Sequence, residues 1–106
     1  MIIRIATEED LPGILQLYLQ PDMDVQVLEI EEAKAIFEKM RLYPDYHIYV
    51  AEMNGMIVGT FALAIMDNLA HMGSKSGLIE DVNVSQSIIT LLIFMLKQAE
   101  GRLCST

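Results

Sequence analysis

Apolar and polar positions along the chain change period several times, and each change marks an element. Ile2-Ile3-Arg4-Ile5-Ala6 is rich in β-branched residues and reads as a short strand. Thr7-Glu8-Glu9-Asp10 then opens a helix, with Thr7 as cap and Asp10 answering from the third position as in a capping box. Pro12 suits only a first helical turn, so Asp10 is the alternative cap. Leu11, Ile14, Leu15 and Tyr18 recur at helical spacing and predict the buried stripe. Gln20-Pro21-Asp22-Met23-Asp24 reads as a loop. A second helix is predicted from about Ile30 to Met40, with Ile30, Ala33, Phe37 and Met40 inward and Glu31, Lys34 and Glu38 outward. The acidic cluster Glu29, Glu31 and Glu32 complements the dipole at its start and does not specify the convergence that a metal site needs. Tyr43-Pro44-Asp45 ends the helical region.

The second half is richer in β signals. His47 to Met53 and Met56 to Ile65 are strand-like, and Asn54-Gly55 lies between them. Both central residues of a type I′ turn need positive φ, which Asn and Gly tolerate, so this is a hairpin with Met53 opposite Met56. Gly59 inside the second strand predicts a bulge or a close backbone approach. Asp67 to Lys75 is a polar connection. His71 within it could act as a general base or a ligand, although a lone loop histidine more often does neither. Ser76-Gly77-Leu78-Ile79-Glu80-Asp81-Val82-Asn83-Val84 is the next strand, broken by Ser85-Gln86-Ser87. An apolar helix is predicted from about Ile88 to Ala99, with Gly101 as its natural stop. The fold class is therefore α+β with α/β-type layers: a mixed, mostly antiparallel sheet with flanking helices. No internal repeat is evident.

Composition narrows the function classes. With 106 residues, 53% of them hydrophobic, the chain is one folded domain over residues 1–106. The net charge of −8 argues against a nucleic acid or an anionic membrane as partner, and permits a cationic or amine substrate. A lone cysteine, Cys104, excludes an internal disulfide and implies a reducing, cytoplasmic setting. No signal peptide is visible after Met1, and the apolar run Ile88 to Leu96 falls short of the roughly 20 residues that a membrane span needs.

The candidate chemistry lies at Glu80 and Asp81, adjacent carboxylates inside an apolar strand. A charge there is costly unless it is paired or used. One reading gives one carboxylate to solvent and the other to a backbone amide or a basic residue; the other reading gives them chemistry. Regular alternation places Glu80 on the side of Val82 and Val84, with Asp81 opposite.

The order of elements, the Thr-x-x-Asp turn, the hairpin glycine and the Ile79-Glu80-Asp81-Val82-Asn83-Val84 strand together resemble the N-terminal part of the GNAT N-acetyltransferase superfamily. The resemblance implies an acetyl-CoA-dependent transfer to a primary amine. Backbone groups at Val82, Asn83 and Val84 would pair with the pantetheine arm like an added strand, and Ser85 and Ser87 would meet the phosphates. Glu80 would be the general base, with Asp81 the alternative, because an ammonium must lose its proton before it attacks a thioester. The family's glycine-rich pyrophosphate loop after this strand has no counterpart, since no glycine lies between Gly77 and Gly101. Its later strands and last helix, with their Tyr or Cys acid, have none either, and Cys104 does not qualify for that role as a thiol alone. This departure implies a shortened, impaired transferase with weak acetyl-CoA binding, or else a non-catalytic, dimerising interaction module. A strand lacking its usual later neighbours, followed by a helix apolar nearly all round, predicts a homodimer, with exchanged elements as one form of it, or else poor solubility.

Overall fold

The computed structural model describes residues 1–19 and 26–104, and the side chains of all of these except 91, 92 and 99–104. The loop expected at 20–24 and the side chain of Cys104 lie outside the described residues. In chain order the elements are β1 (Ile2–Ile5), α1 (Leu11–Tyr18), α2 (Ile30–Met40), β2 (Tyr46–Met53), β3 (Met56–Met66), β4 (Ser76–Val84) and α3 (Gln86–Cys104). The strands form one sheet in the order β1-β2-β3-β4, and every pairing is antiparallel.

Local chemistry explains most of these boundaries. A single 3₁₀ turn at Glu8–Asp10 precedes α1, so Asp10 occupies the cap position of the α-helix itself and Pro12 falls within its first turn. The Asp10 carboxylate accepts the Thr7 backbone N–H at 2.8 Å, and Asp10 N–H donates to the Thr7 carbonyl at 3.0 Å. Asn54 and Gly55, at φ 52° and 77°, form the turn between β2 and β3, and Met53 pairs with Met56. The register steps from Ala51↔Gly59 to Glu52↔Ile57, which leaves Val58 as the extra residue of a bulge beside Gly59, as that glycine predicts.

One face of the sheet carries α1 and α2. Ala6, Leu11, Ile14, Ala33, Phe37 and Val50 form the buried cluster, with Leu15, Tyr18, Ile30, Ile48 and Ile57 packed against it. Gly13 brings α1 close to β3: a Cβ there would lie 3.1 Å from the Ile57 side chain. Beyond the predicted stripe, Leu17 is also buried. The opposite face is apolar too. Ile5, Tyr49 and Phe61 form one row across it, and His47, Leu63 and Ile79 another. Tyr49 and Phe61 stack at 5.1 Å, while Ile5 and Ile79 remain half-exposed.

The last helix departs from its predicted limits. It begins at Gln86, directly after Ser85, and continues through Gly101 to Cys104. Ser85 is its cap: its hydroxyl and carbonyl accept the Ile88 N–H, and the carbonyl also accepts the Ile89 N–H. Ser87 therefore lies inside the first turn. Gly101 does not stop the helix because an interior glycine costs a helix only about 1 kcal/mol.

Candidate active site

The edge strand β4 pairs with β3 on one side and with no other described strand. Its pairing is interrupted where the candidate carboxylates lie. Asn83 opposes Thr60 and Glu80 opposes Ala62, so Asp81 and Val82 on β4 face only Phe61 on β3. Asp81 is at φ 54°, the left-handed region that Asp and Asn tolerate better than most residues. This is a bulge, and it breaks the alternation expected from a regular strand. Thr60 and Ala62 share a face, so Glu80 lies on the face of Asn83, and Val84, opposite Gly59, lies on the other. The grouping of Glu80 with Val84 against Asp81 is thus corrected: the extra residue resets the side-chain period.

The bulge turns both carboxylates toward the helix-covered face. Asp81 lines an apolar cavity between α1, α2 and the sheet. The Tyr46 hydroxyl has its pKa raised, first by burial and then by the negative fields of Glu80 and Asp81. Tyr46 thus remains a hydrogen-bond donor through neutral pH, and its ring stacks on Tyr43 at 6.1 Å. Glu80 and Asp81 are themselves exposed, while Asn83 beside them is buried.

Other candidates lie apart from this cluster. His71 is exposed in a short 3₁₀ turn, His71–Gly73, whose start Asn68 helps to brace by accepting the Ala70 N–H at 3.0 Å. Among the described residues, no group of three or more His, Cys, Asp or Glu side chains could hold a metal ion, and no helix is long and apolar enough to cross a membrane. Sequence reasoning missed Tyr46 and the cavity, since neither is local: Tyr46 and Asp81 line one cavity only through the strand order β2-β3-β4.

The site tests the implied co-substrate in two places. A bulged, exposed sheet edge suits an extended pantetheine arm, which adds like a strand. The pyrophosphate end fits poorly. One residue, Ser85, joins β4 to α3, and it already caps that helix.

A four-stranded antiparallel sheet with a bulged edge strand, two helices on one face and a third helix following the edge defines the GNAT acetyltransferase fold, which this chain has. The chain is 35% identical to a protein of Agrobacterium tumefaciens str. C58 classed as an acetyltransferase, with a TM-score of 0.73 over 82% of this chain and 60% of that one. It is 25% identical to glucosamine-6-phosphate N-acetyltransferase from Arabidopsis thaliana, with a TM-score of 0.70 over 95% of this chain and 75% of that one. A GNAT family acetyltransferase of Staphylococcus aureus shares the fold at 15% identity, with a TM-score of 0.69 over 96% of this chain and 78% of its own. The chain thus spans 60% of the length of the Agrobacterium protein. No family profile matches the chain, and no curated protein does.

Proposed function

We propose that the chain is a GNAT-type N-acetyltransferase that moves an acetyl group from acetyl-CoA to a primary amine, in the cytoplasm. The observation that carries this reading is the bulge, which sets Asp81 into the lining of the cavity that Tyr46 also lines, next to Glu80 on an exposed sheet edge. Glu80 takes the proton from the bound ammonium, directly or through water. The freed nitrogen attacks the thioester carbonyl, the new N–C bond forms and the C–S bond breaks. The thiolate of coenzyme A leaves, and the second proton that the nitrogen sheds as the amide forms passes to it through solvent. The edge at Val82, Asn83 and Val84 lines up the pantetheine arm, and the start of α3 at Ser85 and Ser87 lies toward its phosphates. The test is acetyl transfer to a panel of primary amines, read as release of coenzyme A and as product mass. Glu80→Gln lowers the rate at neutral pH by about 10²-fold, the lower end of general-base contributions, with partial recovery at high pH where the amine deprotonates itself. Equal rates for Glu80→Gln and wild type across the pH range would remove Glu80 from the mechanism.

A second reading is a dimerising interaction module without catalysis. Its support is the uncovered apolar surface: Ile93, Phe94, Met95 and Leu96 of α3 are each at least 50% exposed. Stable self-association without any acetyl transfer would favour the module.

A further inference from the structure

The cavity that Asp81 lines has a chemistry that selects a ligand. It holds about 180 Å³ between the two helices and the sheet. Its walls include Tyr18, Ile36 and Met40 from the helices and Ile48 and Ala62 from the sheet, and among the described residues Asp81 is the only charged one in the lining. Leu28 and Ile36 also line it and remain 42% and 44% exposed, so the cavity opens to solvent beside apolar side chains. Among the described residues, no cation pairs with Asp81.

We infer that this cavity is the acceptor subsite of the proposed transferase, and that it takes a small apolar primary amine, its ammonium against Asp81 and its hydrocarbon body among Tyr18, Ile36, Ile48 and Ala62. The inference rests on the transferase reading and narrows its substrate class. Size argues for one ring or a short branched chain, because an apolar cavity of about 150 Å³ takes up benzene. Sugars and peptides carry polar groups that such walls would leave without partners, at a cost in affinity. The charge of the head group follows from the carboxylate at the rim, from Glu80 beside it and from the net charge of −8.

Benzylamine is the probe, with benzyl alcohol as its uncharged analogue and ethanolamine as the amine without a ring. Calorimetry without acetyl-CoA measures affinity, and methyl NMR signals of Ile48 and Ala62 report position. Benzylamine should bind more tightly than ethanolamine and shift both methyl signals. Asp81→Asn should weaken benzylamine about five- to tenfold, the range for one partly solvated ion pair, and leave benzyl alcohol unchanged. This variant is expected to fold, since Asn accepts the positive φ of the bulge as readily as Asp. Ile36→Trp, at the exposed rim, should block both ring compounds. Equal affinities for benzylamine and ethanolamine, unmoved methyl signals, or an unchanged benzylamine affinity in Asp81→Asn would each overturn the inference. Acetyl transfer assayed separately keeps the two readings apart. Polar amines acetylated while benzylamine neither binds nor reacts would sink the apolar subsite and leave the transferase. Benzylamine bound at Asp81 with no amine acetylated would sink the transferase and support the subsite.

Discussion

Asp10 is the residue with the most structural demands on it. It is buried, and its carboxylate accepts from Arg4 Nη1 and Nη2, at 2.7 and 2.9 Å, besides the Thr7 amide. Arg4 also reaches Glu52 at 3.6 Å, so β1, the turn before α1 and β2 meet at one cation. The Arg4 hydrogen bonds, chiefly, hold the Asp10 pKa down to about 2. A carboxylate depressed in the folded state stabilises fully above its unfolded pKa, and the contribution is lost as pH falls toward the folded pKa. Denaturant unfolding should therefore show about 2 kcal/mol of stability disappearing between roughly pH 4 and pH 2. Asp10→Asn should remove that pH dependence and cost about 2–3 kcal/mol at neutral pH, because the bidentate pair and its charge are lost together. A variant that keeps the wild-type acid limb would show that another carboxylate controls it. The sequence disclosed Asp10 as a cap but not as an ion-pair partner: capping is local, whereas the pair with Arg4 forms only once β1 lies beside the turn.

At the scale of elements, legibility followed how local each cause is. The hairpin was readable because its turn chemistry sits in two residues. Gly55, at φ 77° with open space where a Cβ would sit, is constrained by backbone conformation alone. Gly55→Ala should thus cost about 1–2 kcal/mol, measured as a fall in Tm of roughly 4–15 °C, while Asn54→Gly changes little. A Gly55→Ala protein as stable as wild type would mean that the turn relaxes to another type. The β4 bulge was not readable from period, because alternation assumes one residue for one. Its trace in the sequence is only an aspartate, a type that tolerates positive φ, within an otherwise β-branched run. The start of α3 was placed two residues late, since Ser85 and Ser87 are both good caps and the pairing of β3 with β4 decides between them: Ser85 N–H still reaches the Val58 carbonyl at 2.8 Å. That one-residue link leads to an expectation for acetyl-CoA. A wrapped pyrophosphate gains several amide bonds, each worth ~1.5–3 kcal/mol to a charged group, and losing two weakens binding roughly a hundredfold to ten-thousandfold. The α3 dipole returns ~1 kcal/mol. Calorimetric titration should give a dissociation constant near millimolar, and a micromolar one would show that another part of the chain or a partner replaces the loop.

For the molecule as a whole, the balance of apolar surface is unusual. The radius of gyration is 17.4 Å, against about 13 Å for a compact domain of this length. The sheet face with Ile3, Ile5 and Ile79 and the helix face with Ile93 and Leu96 are both apolar, and both are largely exposed. Two copies can satisfy both at once if α3 of each lies on the open sheet face of the other, a closed two-fold exchange. A helix of 19 residues is about 28 Å long and 10 Å wide, so two such contacts bury on the order of 1,000–1,500 Å², near the size of a standard interface. The predicted homodimer has a distinctive salt response. Each copy brings a net charge of −8, so association works against repulsion that salt screens, and the dimer should tighten as ionic strength rises. Sedimentation equilibrium should show a dimer whose dissociation constant falls between 20 mM and 500 mM salt. Ile93→Glu and Leu96→Glu, on one face of α3, should each shift it toward monomer, because a carboxylate would then enter an apolar contact. A monomer at high protein concentration in 500 mM salt would rule the exchange out.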